Sequence, residues 1–125
     1  MVFSRISQQA IASFAGQLGL PAVPARDGSY SFVFEQTGTL TLTSSRDGAR
    51  VLVSLARRPA RLDSELLGAA LARAGLDDAM GRVLHAGLAS DDSIVFSLSL
   101  DEAECDLPTL DACLQTLSAH HRGLN

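Results

Sequence analysis

The chain has 125 residues, 46% of them apolar, with one Tyr, five Phe and no Trp; this bounds one aliphatic core and excludes disordered, fibrous and low-complexity classes. The formal net charge of -4 is unevenly divided: residues 1–62 hold seven arginines and three acids, net +4, and residues 63–125 hold three arginines and eleven acids, net −8. An acidic second half repels phosphate backbones, so nucleic acid is not expected as a partner.

Residues 4–18 open with helical periodicity. Ile6, Ala10, Ile11, Phe14 and Leu18 form one apolar stripe, Ser4 is placed to cap its start, and Gly19 with Pro21 ends it. Residues 20–28, with Pro21, Pro24 and Gly28, read as a loop. The period then drops to two. Tyr30, Phe32 and Phe34 alternate with Ser31, Val33 and Glu35, Thr37-Gly38 turns the chain, and Leu40 and Leu42 alternate with Thr39, Thr41 and Thr43. Asp47-Gly48 predicts a type I′ hairpin turn into a strand over residues 49–56 that points Val51, Val53 and Leu55 inward.

A second helix is expected after the cap Asp63, closed by Gly75, with Leu62, Leu66, Leu67, Ala70, Leu71 and Ala74 as its apolar face. Residues 76–81 read as a link. A second hairpin joins residues 82–88 to 93–100 around Ala89-Ser90-Asp91-Asp92, and Ile94, Phe96, Leu98 and Leu100 alternate cleanly in its later strand. A last helix starts at the cap Asp106 with Pro108 in its first turn and buries Leu107, Leu110, Cys113, Leu114 and Leu117. The predicted order is α-β-β-β-α-β-β-α. It describes an α+β fold over residues 1–125, an antiparallel sheet with helices packed on one face.

Catalysis finds no foothold in this pattern. The adjacent His120 and His121 point about 100° apart on a helix and cannot close on one metal from there; they read as solvated residues near a helix C-terminus, where positive charge suits the dipole. His85 reads as a sheet histidine with one polar contact. Asp101, Glu102, Glu104, Asp106 and Asp111 lack calcium-loop spacing and read as a soluble rim that favours the adjoining helix dipole. No Gly-rich phosphate loop follows a strand. No enzyme activity, cofactor or metal is therefore expected. Residues 1–5 lack the signal-peptide pattern, and no segment approaches the roughly 18 apolar residues of a membrane span, so a cytoplasmic chain with Cys105 and Cys113 reduced is expected.

Two surfaces remain. The outward sheet positions carry hydroxyls with Val33, Leu52, Leu84 and Val95 among them, which are either ordinary isolated apolar residues or shallow pockets for an extended peptide. The broad face of the second helix serves the core alone or also a two-fold contact. The cluster Arg57, Arg58 and Arg61 reads as a solvated connection between strand and helix.

The segments SRISQQAIASFAGQLGL, SYSFVFEQ, TLTLTSS, ARVLVSLA, DSELLGAALARAG, GRVLHAGL, SIVFSLSLDE and LPTLDACLQTLSAHH follow one another as in the class I type III secretion chaperones, and the chain resembles that family along nearly its full length. The resemblance implies a homodimer that binds the N-terminal region of a cognate secreted effector in extended form, keeping it soluble and export-competent without ATP. It implies a dimer contact through Leu66, Leu67, Ala70 and Leu71, and effector contacts at Ile6, Phe14, Val33 and Leu52. A regulatory module of similar fold that sequesters a partner protein is the competing reading.

Overall fold

The computed structural model describes residues 3–124. Helix α1 (Arg5–Leu18) is capped as its sequence dictates: the Ser4 hydroxyl accepts from the Ser7 N–H, and Gly19 ends the helix in the left-handed region. Strands β1 (Tyr30–Phe34), β2 (Gly38–Ser44) and β3 (Arg50–Arg57) form an antiparallel meander. Helix α2 (Ser64–Leu71) follows, with the Asp63 carboxylate accepting from the Leu66 N–H. Strands β4 (Gly75–Asp77), β5 (Arg82–Leu88) and β6 (Ile94–Asp101), a single 3-10 turn (Glu102–Glu104) and helix α3 (Leu107–Arg122) complete the chain.

The predicted order of elements is present, with β4 added. That strand lies where the sequence reads as a link, and it starts at Gly75, so α2 stops at Leu71, short of the expected glycine. The six strands are ordered β1-β2-β3-β6-β5-β4 and every pairing is antiparallel. β6 therefore enters beside β3, and the whole α2–β4–β5 segment lies between two strands that pair in space.

One face of the sheet carries the core. Phe32, Leu40, Leu42, Val53, Leu55, Phe96, Leu98 and Leu100 are buried there beneath Ile11 and Phe14 of α1 and Leu110, Cys113 and Leu117 of α3. Phe14 meets Phe32 edge to face at 5.9 Å, the geometry the ring quadrupoles favour. α3 lies over β3 and β6, and α2 over β5.

Gly38 is fixed by space. Its φ is +119°, and a Cβ there would run into the Ala56 carbonyl and lie 3.3 Å from the Arg57 Cα. The β1–β2 turn is thereby seated directly against the end of β3. The Asp47-Gly48 turn is not the type I′ form: Gly48 alone has positive φ. Asp47 instead accepts from the Ala49 N–H and the Ser45 hydroxyl, which holds a longer loop.

Candidate partner-binding site

The outer face of the sheet follows from the register. Ser31, Thr41, Ser54 and Ser97 stand side by side across β1, β2, β3 and β6. Ser54 and Ser97 share a hydrogen bond of 2.9 Å, and Ser31 and Thr41 approach to 3.4 Å. Val33 projects from this face 71% exposed, and Leu52 is 40% exposed. The next row runs Leu52, Ser99, Val83 and Leu76 toward the β4 edge.

Leu84, expected on this face, is buried. It pairs with Leu98, so it points into the core, and its neighbour Val83 takes the outward place. The run Arg82-Val83-Leu84 sets two apolar residues together, and alternation alone does not choose between them.

Phe14 cannot serve as an effector contact in this fold. It is 1% exposed, its ring fully used against Phe32 and the core. Ile6, placed in the same stripe by its spacing, is 77% exposed. Ser7 occupies the inward position instead, because its hydroxyl, like that of Ser4, donates to the Glu102 carboxylate. These two hydroxyls hold Glu102 below the usual carboxylate pKa.

α2 carries two adjacent stripes. Ala70 is buried and Leu66 packs against the core, so these two are used within the protomer, and Ala70 is not available as a dimer contact. Leu67 is half-buried and Leu71 is 49% exposed, one turn apart on the neighbouring stripe. Ala72 and Ala74 beyond it are also exposed, and around the β4 edge Leu76, 70% exposed, and Val83, 54% exposed, stand on the opposite, outer face of the sheet.

The acidic rim acts as a set of fasteners. Asp101 pairs with Arg50 at 2.5 Å, and Glu104 takes two hydrogen bonds from Arg82, which hold its carboxyl at about 2. Asp106 caps α3 by accepting from the Thr109 N–H at 2.9 Å.

The two histidines are likewise not solvated. His121 is buried and its Nε2–H donates to the Leu55 carbonyl at 2.8 Å; burial pushes its pKa down. His120 lies between Asp77, 2.8 Å from Nε2, and Arg73, 3.2 Å from Nδ1. A guanidinium only donates, so Nδ1 accepts and Nε2–H donates to Asp77. This joins the α2–β4 connection to α3.

Burial pushes the Cys113 thiol up to about 12 and raises that of Cys105, which leaves both protonated and poorly nucleophilic. Among the described residues no group of His, Cys, Asp and Glu is arranged to hold a metal ion, and no helix is long and apolar enough to cross a membrane.

The sequence model of the type III secretory system chaperone SycN family matches residues 6–124. The chain belongs to this family. As a type III secretion chaperone it shares its fold with solved structures of low sequence identity. A chain of the Yersinia pestis secretion chaperone SycH complex with a stable fragment of YscM2 superposes with a TM-score of 0.70 at 17% identity, covering 95% of this chain and 99% of that one. A chain of the HopA1–SchA chaperone–effector complex gives 0.71 at 20% identity, with 95% and 92% covered. One from the ExsC–ExsE complex gives 0.71 at 22%, with 96% and 91% covered. No curated protein matches the chain in sequence.

Proposed function

We propose that this secretion chaperone acts in the cytoplasm, without catalysis or ATP, as a homodimer that holds the N-terminal region of a cognate secreted effector in extended form. The observation that carries the reading is the edge strand β1. It pairs with β2 alone among the described strands, leaving its other backbone edge open, and it sets exposed Val33 on a hydroxyl-lined face. An extended segment added there gains backbone hydrogen bonds, and alternate side chains reach shallow apolar positions. Ile6 and Leu52 extend the same role, and the relatives SchA and SycH are seen in complexes with partner proteins.

We propose that the self-contact uses Leu67 and Leu71 of α2 and reaches around the β4 edge to Leu76 and Val83. Leu71, 49% exposed on a helix whose inner stripe already serves the core, supports this reading.

Co-expression with candidate secreted proteins of the same genome, beginning with any encoded nearby, tests the function. A stable soluble complex that protects the client's N-terminal region from proteolysis is expected, weakened by Val33→Asp. Failure of every candidate secreted protein to form such a complex would overturn the proposal.

A further inference from the structure

We infer that the cleft bounded by Gln36, Thr37, Arg57, Ser118 and Arg122 is a receptor for carboxylate side chains of an acidic polypeptide segment. The inference rests on the proposal that the chain holds a polypeptide, and it assigns a charge preference to a place remote from the acidic rim.

Arg57 follows Leu55 on β3 with one residue between, so it lies on the core side of the sheet, where the end of α3 covers it. Ser118 and Arg122 stand one turn apart on that helix. The third wall is the β1–β2 turn, brought in by the close approach of Gly38 to the Ala56 and Arg57 backbone. The result is a cleft of about 190 Å³ lined by two guanidinia, two hydroxyls and an amide, with no acid among the described residues of its lining.

Among the described residues, carboxylates hold Arg50 and Arg82, and neither Arg57 nor Arg122 joins such a pair. Arg57 also helps keep the neighbouring His121 neutral, a sign that the local potential is positive. In a chain of net charge -4, Arg57 and Arg122 thus share one cleft without a carboxylate partner among the described residues, whereas the adjacent Arg58 lines a separate cleft beside Asp91.

Size and chemistry select the ligand. The cleft is below the roughly 300 Å³ at which pockets for whole small molecules begin. Its planar donors match carboxylate oxygens in forked geometry, with hydroxyls to take the remaining lone pairs. An acidic polypeptide run can lodge one carboxylate between Arg57 and Arg122.

The test is an NMR titration of the full chain with a blocked heptaglutamate peptide, beside a blocked heptaglutamine peptide and inorganic phosphate. The glutamate peptide should shift the amide signals of Thr37, Arg57, Ser118 and Arg122, and the glutamine peptide should not. R57Q/R122Q should bind the glutamate peptide on the order of tenfold more weakly. Arg122→Gln alone, an exposed change that leaves the core untouched, should show part of that loss. Unmoved cleft signals, unchanged affinity in both variants, or equal shifts from phosphate, which would mean an adventitious ion only, each overturn the inference. The client complex is measured separately. If wild type binds its client and R57Q/R122Q binds it equally well, the cleft is wrong and the chaperone reading stands. If no client binds but heptaglutamate occupies the cleft, the reverse holds.

Discussion

Replacing Leu71 and Leu76 together by Ala tests the self-contact most directly. The two side chains are 49% and 70% exposed in the protomer. Fully burying a leucine contributes about 1.5–3 kcal/mol, so covering what is still exposed contributes about 0.7–1.5 kcal/mol at Leu71 and about 1–2 kcal/mol at Leu76. Two-fold symmetry counts each twice, giving about 3.5–7 kcal/mol for the dimer. Loss of even the lower part of that range raises the dimer dissociation constant at least about a hundredfold. Because both residues are at the surface, folding stability should move by no more than about 0.5 kcal/mol. Sedimentation velocity over a dilution series reads the association, and urea unfolding of the monomeric variant confirms that the fold survives. A dimer of unchanged affinity in L71A/L76A would refute the assignment, as would a wild-type chain that stays monomeric at the highest concentration.

Phe14→Ala should cost about 3–5 kcal/mol of folding stability through the cavity left against Phe32, whereas Ile6→Ala should stay within about 0.5 kcal/mol and weaken client binding alone; urea melts and client titrations separate the two. Gly38→Ala should destabilise by about 2 kcal/mol or more, seen as a lower Tm, because the added methyl meets the Ala56 carbonyl in a backbone conformation that L residues avoid. Stability should fall with acid in two stages. Folding keeps His121 neutral, so its contribution is intact above its ordinary value of 6.5 and is lost as pH falls toward the lowered folded value. Glu104 is held at about 2 against an ordinary 4.5, so its contribution is intact above 4.5 and is lost between there and about 2. Urea midpoints across this range should decline in those windows, and Arg82→Gln should flatten the lower one.

The elements legible in the sequence were those with local causes. Ser4, Asp63 and Asp106 cap helices because a short side-chain oxygen reaches the N–H groups just beyond it, and Gly19 ends α1 because it accepts positive φ. Alternation placed Phe32, Leu40, Val53 and Phe96 inward because one face of the sheet is solvated. What stayed hidden depends on distant neighbours. β4 is three residues long, too short to show a period, and exists because β5 offers it an edge. Ser7 displaces Ile6 from the inner stripe of α1 only because Glu102, 95 residues on, accepts its hydroxyl. Polar character likewise gave no warning that His121 is buried, since the Leu55 carbonyl that satisfies it comes from β3. Within the candidate surfaces, Val33 and Leu71 were readable as apolar residues in outward register. Leu76 and Val83 were not, because they belong to the strand pair that the sequence conceals.

The strand order also sets a sequence of events during synthesis. β3 leaves the ribosome with its second edge unpaired, and the strand that closes it, β6, is made only after α2, β4 and β5. Until that seam zips, from Arg57 opposite Ile94 to Arg50 opposite Asp101, the β4–β5 pair beneath α2 is not joined to the meander. Such non-local pairing is slow relative to hairpin closure. The face of α2 proposed for self-contact is therefore backed by the complete sheet only late in synthesis, once β6 has been made.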